Sequence, residues 1–449
     1  MLRTRMSRRN AIVTGAAALA GGALLREVDG QTTTSGNAKT QATTAAAPAS
    51  REPLEPGQPG RDYTPVVTPN NVALPWKVVD GVKVYHLIAE PVRHEIAPGL
   101  VINAWGYNGR CHGPTIEAVE GDRVRIYVTN RLRAPTSVHW HGILLPNGMD
   151  GVGGLNQKAI YPGETFRYEF TLRQRGTFMY HSHHDEMTQM AMGMVGLFVI
   201  HPRNVPSAQR PDRDFALLLH EWAIKPGTYR PDPNVMSDFN VLTINAKAFP
   251  GTEPLVARRG QRVRIRMGNL GPMDHHPIHL HGYDFTVTST DGGDVPPSAQ
   301  RPEATVLVPV GSTRTVDFVA DEPGDWAMHC HMTHHVMNQM GHDIPNTIGV
   351  DPKAVDAKFR PLLPAYMTMG QEGMGEMHLH EGMTMPENSI PMVGAKGPFD
   401  YITMGGMFTI LKVREGIANY DDPGWYKHPE GTVASSATPE QLRADGINL

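Results

Sequence analysis

Four short histidine-rich stretches contain the side chains best suited to hold a metal ion. They read "HWHG" (139–142), "HSH" (181–183), "HPIHLHG" (276–282) and "HCHMTHHVMNQM" (329–340), and each contains the pattern His-x-His. Residues i and i+2 of a β-strand project from the same face, so each pair can bind a metal from one side. One such pair is weak evidence, but four pairs placed symmetrically along the chain predict a metal centre. The eight histidines are His139, His141, His181, His183, His279, His281, His329 and His331.

The last stretch also contains Cys330, one of only two cysteines in the chain. Because Cys330 lies between His329 and His331, its side chain points to the opposite face of the strand and must serve a different metal. A cysteine with two histidines and a weak axial methionine forms a blue-copper electron-transfer site. The chain offers such a set in His276, Cys330, His335 and Met340. The peptide bonds around Cys330 would then be a short path for electrons between the two sites.

These side chains need β-strands to position them, and the sequence predicts such strands from about residue 76 onward. Short runs rich in Val, Ile, Tyr, Phe and Thr, such as "ETFRYEFTL" and "MVGLFVIHP", are separated by Gly, Pro, Asn and Asp, which is typical of a β-sandwich. The segment "VEGDRVRIYVTN" (119–130) is echoed by "ARRGQRVRIRMGN" (257–269), and a His-x-His-Gly motif follows each after about ten residues. The chain is therefore predicted to be all-β, with two copies of one sandwich at residues 76–210 and 211–352.

The flanking segments differ from the two sandwiches in composition. Residues 1–29 contain the pair Arg8 and Arg9 before a stretch of small and apolar residues, which resembles a twin-arginine signal for export to the periplasm or the extracellular space. A disordered basic tail is the alternative. Residues 30–75 are rich in Thr, Ala, Gln, Pro and Gly and are predicted to be a disordered linker. Residues 353–449 are predicted to be an irregular Met/His-rich C-terminal extension, whose run "GPFDYITMGGMFTILKV" could supply a strand or two.

The overall composition excludes several classes of protein. A formal net charge of −4 does not favour a nucleic-acid partner. No apolar run reaches the roughly 18 residues that a stable membrane span requires. Two cysteines cannot form a disulfide framework. The high counts are those of methionine, at 24, and histidine, at 22, and both side chains bind soft or borderline metals.

The four motifs resemble those of the multicopper oxidases, the laccase-like family built from cupredoxin domains. The resemblance covers about residues 76–350 and implies two cupredoxin-like Greek-key β-sandwich domains. It also implies four copper ions per chain, namely one type 1, one type 2 and two type 3. The type 1 ligands would be His276, Cys330, His335 and Met340, the type 2 ligands His139 and His279, and the type 3 ligands His141, His181, His183, His281, His329 and His331. Members of the family take single electrons from a reductant at the type 1 copper and reduce O₂ to water at the trinuclear cluster.

The spacing of the motifs resembles that of the two-domain branch of this family. Only 190 residues separate His139 from His329 (329 − 139), which leaves no room for a third sandwich between them. Half of the eight histidines come from each domain, so domain 1 of one subunit could face domain 2 of the next, and a head-to-tail interface of this kind closes into a ring. By analogy with the two-domain branch we expect a homotrimer with trinuclear clusters between subunits. Ser182 stands where the second sandwich has Cys330, so we expect one type 1 copper per chain, which argues against a copper nitrite reductase.

Reduction of O₂ to water consumes protons, and an acid near the cluster should supply them. Asp150, in "NGMDGVGG", resembles the catalytic acid of the family in its Asp-Gly setting, although an Asp before Gly is also common in ordinary turns. The family often has a second acid three or four residues after the cysteine, where this chain has Thr333 and His334. His334, Asp185 or Glu186 could take its place.

Two further groups of methionines bear on the identity of the reductant. Thioethers suit Cu(I), but methionines inside a folded domain more often pack against their neighbours. The first group follows the "HSH" motif and comprises Met187, Met190, Met192 and Met194. The second lies in Gly-rich polar sequence, where copper contact is the better explanation, and comprises Met367, Met369, Met374, Met377, Met383 and Met385, with His378 and His380.

Three functions fit this pattern. The first is laccase-like oxidation of phenolic or aromatic donors, and the second is oxidation of Cu(I) or another metal ion for copper tolerance. The third is copper sequestration, against which the complete ligand set argues. An axial methionine such as Met340 lowers the reduction potential of a blue copper, so we expect an enzyme of low to mid potential. Cys111 is expected to be a buried free thiol.

Overall fold

The structure of this protein is a computed structural model, and it describes residues 54–339, 353–359, 361–362, 386–392 and 394–448. Within these residues the fold is nearly all β-structure, which confirms the predicted fold class. The predicted export segment lies outside the described residues, as do Met340 and the methionine- and histidine-rich stretch 363–385.

Nine strands form the first sandwich. They are β1 (Trp76–Val79), β2 (Val82–Ala97), β3 (Leu100–Tyr107), β4 (Ile116–Val119), β5 (Arg123–Asn130), β6 (Val138–His141), β7 (Thr165–Thr171), β8 (Gly176–Ser182) and β9 (Val195–His201). One sheet has the order β1-β2-β5-β7, with β3 paired to β2, and the other has the order β4-β9-β8-β6. Large buried side chains, among them Trp140, Tyr168 and Phe198, fill the space between the sheets.

The second sandwich begins with eleven strands that follow directly in sequence. They are β10 (Arg213–Trp222), β11 (Val241–Ile244), β12 (Leu255–Arg258), β13 (Gln261–Asn269), β14 (His276–Leu280), β15 (Phe285–Thr290), β16 (Gly293–Asp294), β17 (Pro302–Glu303), β18 (Thr305–Val308), β19 (Ser312–Ala320) and β20 (Gly324–Cys330). A small hairpin of β21 (Ala395–Gly397) and β22 (Asp400–Ile402) precedes the last strand, β23 (Phe408–Arg414). The two main sheets have the orders β11-β10-β13-β19-β15-β16, with β17 paired to β15, and β12-β23-β20-β14-β18.

The sequence repeat corresponds to a repeat in structure. The echoed segments 119–130 and 257–269 contain β5 and β13, and each of these strands pairs in parallel with the long strand before it, β2 or β10. Both strands end in a fully buried asparagine, Asn130 or Asn269, whose side-chain amide donates hydrogen bonds to two backbone carbonyls further along the chain. The two sandwiches therefore have the same buried asparagine, with the same kind of hydrogen bonds, at the end of the corresponding strand.

Strand β23 completes the second sandwich from beyond its predicted boundary at residue 352. It lies between β12 and β20 and pairs antiparallel with β20, so that Phe408 lies opposite His329. All seven residues of β23 are buried. The strand reads FTILKVR, and its two basic residues are paired with Asp422 and Asp325. It lies in the run of the tail that had been predicted to supply a strand or two.

Residues 54–75 are ordered against the two sandwiches, so the prediction of a disordered linker is wrong for this part. Tyr63, Val66 and Leu74 are buried. Val67 forms a β-bridge with Phe215 of the second sandwich, and Ala73 forms one with Thr115 of the first. The segment contains few apolar residues, but those few fill the seam between two existing domains and need no core of their own.

The helices are short. The α-helices are α1 (Glu186–Ala191), α2 (Lys353–Phe359) and α3 (Pro439–Ala444), and four 3₁₀ turns lie at Asn147–Met149, Ser207–Gln209, Pro297–Ala299 and Thr333–Val336. In the part of the chain that the structure describes, no helix has the length and apolar character needed to cross a membrane.

Candidate metal centres

The four histidine pairs lie on two pairs of antiparallel strands. In the first sandwich β6 and β8 place His139 directly opposite His181. In the second, β14 and β20 place His279 directly opposite His329. The period-2 alternation of a strand then brings the second member of each pair to the same face. Each sandwich thus carries one group of four imidazoles.

The group in the first sandwich is compact. The ring centroids of His139 lie 5.7, 5.3 and 5.5 Å from those of His141, His181 and His183. The Nδ1 atom of His139 lies 2.7 Å from the backbone carbonyl of Asp150, and the Nδ1 atom of His181 lies 2.9 Å from the carbonyl of Ser182. Donation to a carbonyl fixes each proton on Nδ1, so Nε2 is left as the metal-binding atom.

In His141, Nδ1 is the ring nitrogen that faces the other imidazoles. Its Nδ1 atom lies 3.3 Å from Nε2 of His181, and its ring contacts the backbone of Gly311, which belongs to the second sandwich. Burial lowers the pKa of His141 below its ordinary value and lowers the pKa of His181 to about 3. Both rings are therefore neutral at pH 7, which is the form that binds metals.

The group in the second sandwich repeats these contacts. The Nδ1 atom of His279 lies 2.7 Å from the carbonyl of Ala304, and that of His329 lies 2.9 Å from the carbonyl of Cys330. The Nε2 atoms of His281 and His329 are 3.1 Å apart. His279 lies 5.7 and 5.6 Å from His329 and His331, measured between ring centroids. His281 and His331 are exposed, so this group faces outward.

The two groups of four do not meet within one chain. Among the described residues, every ring contact between two of these eight histidines joins members of the same group. Each group is therefore half of the eight-histidine set predicted from the sequence.

Cys330 faces away from the second group, as its place in the alternation predicts. Its Sγ atom lies 3.8 Å from Nδ1 of His276 and 3.5 Å from Nδ1 of His335, and these two nitrogens are 3.2 Å apart. All three residues are buried. Burial raises the pKa of the Cys330 thiol to about 12 and lowers the pKa of His335 to about 4. A buried thiol between two imidazoles fits a soft cation, which would bind the thiolate.

A carboxylate lies behind each of these two imidazoles. Oε2 of Glu221 is 3.4 Å from Nε2 of His276, and Oδ2 of Asp274 is 3.5 Å from Nε2 of His335. Burial acts to raise the pKa of Glu221, but the contacts with His276 and with two backbone N–H groups outweigh it, so the pKa is lowered. Sequence reasoning missed Glu221. The available signal was the pair His220 and Glu221 at the end of the otherwise apolar run "FALLLHEW" of β10.

The acids proposed as proton donors occupy different places. Oδ1 of Asp150 is 3.5 Å from Nδ1 of His139, so Asp150 lies at the edge of the first group. Glu186 also lies there, with its carboxylate oxygens 3.6 Å from Nδ1 of His181 and 3.6 Å from Nε2 of His183. Asp185 stands at the start of α1 with a positive φ of 48° and makes no such contact among the described residues.

His334 instead lines a cavity of about 210 Å³ next to His335. The other lining residues are Ser237, Asp238, Phe239, Asn240, Leu242, Asp274 and Met332. The cavity gives a small molecule or ion access to the edge of the Cys330 cluster. Met332 is exposed, as are Met236 and Met273, which adjoin the lining residues Ser237 and Asp274 in sequence.

The methionines after the "HSH" motif are split between packing and exposure. Met192 and Met194 are buried, while Met187 is exposed. Cys111 is a buried free thiol, which confirms that prediction. His275 is exposed, and its Nδ1 atom accepts a hydrogen bond from the backbone N–H of Val310.

Comparisons with known proteins agree with this geometry. Sequence profiles described as multicopper oxidase match residues 91–205 and 225–349, together more than half of the chain. Copper resistance protein A of Pseudomonas syringae pv. tomato is 42% identical over 242 residues, which cover 43% of this chain and 39% of that protein. Laccase-2 of Botryotinia fuckeliana is 29% identical over 300 residues, covering 58% of this chain and 49% of that protein. The chain thus spans less than half of the length of either relative.

A solved structure shows the same fold. The crystal structure of a blue copper oxidase from Nitrosomonas europaea matches with a TM-score of 0.54 at 26% identity, covering 74% of this chain and 85% of that one. The family binds copper, and the two imidazole groups and the Cys330 cluster offer the donor atoms that copper prefers. The strand pairs, their histidines and the family profiles lead to one conclusion: this chain belongs to the multicopper oxidase family.

Proposed function

We propose that this protein is a laccase-like oxidase that couples one-electron oxidation of small phenolic or aromatic donors to four-electron reduction of O₂ to water. The observation that carries the proposal is the position of Cys330, whose thiol faces His276 and His335 while its neighbours in sequence belong to the outward group of imidazoles. When bound, copper would supply the one-electron steps at the first site and the reduction of O₂ at the second. The backbone of residues 329–331 connects the two.

The proposed ligand roles follow the motifs. His276, Cys330, His335 and Met340 would hold a type 1 copper. His139 and His279 would hold the type 2 copper, and the six remaining histidines, His141, His181, His183, His281, His329 and His331, would hold the type 3 pair. This gives four copper ions per chain. The hydrogen bonds from Nδ1 of His139 and His279 to backbone carbonyls support a matched role for these two rings.

The trinuclear cluster is proposed to form between subunits of a homotrimer. The support is that each four-histidine group is a half set and that the group in the second sandwich faces outward. If domain 1 of one subunit meets domain 2 of the next, each interface completes one set of eight, and the heterologous contact closes into a ring. Sedimentation of the copper-loaded protein would give the mass of three chains, and a monomer with full O₂ reduction would contradict this assembly.

Asp150 is the proposed proton donor for O₂ reduction. Its carboxylate lies beside His139, and its carbonyl orients the same ring. Glu186 is the better of the candidate second acids because its carboxylate lies near both His181 and His183. Asp150→Asn would then slow O₂ reduction without changing the rate at which the reductant reduces the type 1 copper.

Oxidation of Cu(I) is a second candidate function, favoured by the cavity at His335. That cavity combines the thioether of Met332 with the carboxylates of Asp238 and Asp274, a set that suits a soft cation better than an aromatic ring. The similarity to copper resistance protein A points the same way. The methionine- and histidine-rich stretch 363–385 lies outside the described residues. Its composition alone supports this second function, because thioethers suit Cu(I).

Steady-state O₂ consumption by the copper-loaded protein decides between the two functions. Cu(I) and a simple methoxyphenol are supplied in parallel, with Met332→Leu and a variant lacking residues 366–386 as comparisons. A selective loss of Cu(I) oxidation in either variant supports the second function. Equal rates in all forms, with the phenol preferred, support the laccase. No O₂ consumption with either reductant would leave copper sequestration and contradict both.

Export by the twin-arginine route is also proposed, on the basis of Arg8 and Arg9 alone. Replacing both with lysine should retain the precursor in the cytoplasm. An unchanged distribution between cell fractions would show that this segment is not the signal.

A further inference from the structure

Glu221 occupies an unusual position for a charged residue. It lies near the end of β10 and is fully buried. Its Oε1 atom accepts hydrogen bonds from the backbone N–H groups of Met273 and Asp274, the latter at 2.7 Å. Its Oε2 atom is 3.4 Å from Nε2 of His276, and no other partner reaches that oxygen among the described residues.

No permanently charged cation faces the carboxylate among the described residues. Neither a lysine nor an arginine there forms an ion pair with Glu221, and the side chain that faces Oε2 is His276. Removing a carboxylate from water is costly unless hydrogen bonds and a positive charge compensate it. Since Nδ1 of His276 faces Cys330, a cation bound there would supply a compensating charge through the imidazole.

The first sandwich supplies an internal comparison. Leu219 of β10 pairs with Asn269, and Ala89 of β2 pairs with the corresponding Asn130. Two residues further along each strand stand Glu221 and Pro91. The carboxylate is therefore present in the sandwich that has the Cys330 cluster and absent in the sandwich that lacks a cysteine there.

We propose that Glu221 is a positioning residue that holds the His276 imidazole through Nε2 and lowers the reduction potential of the type 1 copper. This inference rests on the type 1 site of the proposed function. A site of one thiolate and two neutral imidazoles carries a net charge of about +1 with Cu(II) and about 0 with Cu(I), so a fixed negative charge behind a ligand stabilises the oxidised form. Reduction by one electron adds no bond and transfers no proton, so the charge difference acts directly on the potential.

Asp274 provides a graded contrast. It lies at a similar distance from Nε2 of His335, but its side chain is 25% exposed, whereas that of Glu221 is 0% exposed. Water screens a partly exposed charge far more than a buried one. Asp274 should therefore influence the potential less than Glu221.

The test is a redox titration of the blue absorption band in the copper-loaded full-length protein, without O₂ or substrate. For Glu221→Gln we expect the ratio of Cu(I) to Cu(II) at a fixed poise to rise about tenfold, which is about 59 mV for a one-electron couple. Asp274→Asn should shift the ratio less. Glu221→Asp keeps the charge but moves it away from Nε2 of His276, so it should raise the potential by less than Glu221→Gln does, a graded response that a purely structural role would not give.

The outcomes separate this inference from the proposed function. An unchanged potential in a blue Glu221→Gln variant overturns the role of Glu221 but leaves the oxidase intact. A wild-type protein that binds copper without a blue band overturns both. If Glu221→Gln does not fold, Glu221→Asp decides: a blue protein with its potential raised by the retreat of the charge supports the role, and one with an unchanged potential contradicts it.

Discussion

Each sandwich has a buried polar cluster next to its group of histidines, but only the second cluster consists of metal ligands. His276 lies three residues before His279, and Thr136 lies three residues before His139. Cys330 follows His329, as Ser182 follows His181. The second cluster is thus His276, Cys330 and His335, and its counterpart in the first sandwich is Thr136, Ser182 and Gln189, all fully buried.

The first cluster satisfies itself with hydrogen bonds. The hydroxyls of Thr136 and Ser182 both donate to Oε1 of Gln189, the former at 2.7 Å. The amide of Gln189 in turn donates to the carbonyl of Pro135 at 2.8 Å. Hard oxygen atoms that already have partners offer nothing to a soft cation. The same pair of strands therefore carries either a metal site or a closed hydrogen-bond network, and three side chains decide which.

The largest expected effect comes from Cys330→Ser. Without the thiolate the blue absorption and the oxidation of any reductant should both be lost, since electrons have no entry site. The matched change in the first sandwich, Ser182→Ala, should keep both and lower the free energy of unfolding by about 1 kcal/mol. Absorption spectra and O₂ consumption of the two variants check the comparison, and an active Cys330→Ser enzyme would refute the proposed electron path.

His141→Ala should separate the two steps of the reaction. The Cys330 cluster is intact in this variant, so the blue band should remain and should still bleach when an anaerobic reductant is added. O₂ consumption should fall to background because one imidazole of the proposed trinuclear site is missing. His281→Ala, at the matching position of the second sandwich, should behave in the same way. If either variant consumes O₂ at the wild-type rate, the residue that it replaces is not part of the proposed trinuclear site.

Acid should destabilise the copper-free protein through histidines of both sandwiches. Burial lowers the pKa of His94 to about 4 and that of His220 to about 4. Each neutral imidazole contributes stability that is complete above the unfolded pKa of about 6.5 and is lost as the pH falls toward 4, on the order of 3 kcal/mol each. Tm should therefore fall over this range. His94→Gln can still donate to the carbonyl of Ala246 and should make the fall shallower, and an equally steep profile would contradict this assignment.

Ser182→Cys should have the smallest effect on the spectrum. A thiol placed between Thr136 and Gln189 meets no imidazole, so we expect no second blue band after copper loading. The weaker S–H donor leaves Gln189 less well satisfied, which should cost about 1–3 kcal/mol of unfolding free energy. Denaturant titration measures that loss. A second type 1 signal in the electron paramagnetic resonance spectrum would show that one cysteine suffices and that the comparison is mistaken.

Local patterns in the sequence account for much of the fold and the site. The His-x-His motifs have the period of a strand, so the two faces around Cys330 could be assigned without a structure. The repeated segment before each motif likewise identified two copies of one sandwich. These features depend on neighbours in sequence, and the structure reproduces them.

Features that depend on distant contacts could not be predicted in the same way. Glu221 contacts His276 at a separation of 55 residues in sequence (276 − 221), and no local pattern relates the two. Residues 54–75 look too polar to order themselves, but they rest on surfaces that two other segments create. The place of β23 in the sheet could not be predicted either, because the sequence of one strand does not identify the strands with which it pairs.

The position of β23 has a consequence for the order of events during synthesis. The backbone N–H of Cys330 donates to the carbonyl of Met407, and the N–H of Met407 donates to the carbonyl of His335. A ribosome that has made residue 340 has already made every proposed copper ligand, yet Met407 and the strand that pairs with β20 are still to come. A nascent or truncated chain ending before residue 407 would therefore lack the backbone hydrogen bonds that tie Cys330 and His335 to Met407, and copper supplied too early would meet an unfinished site.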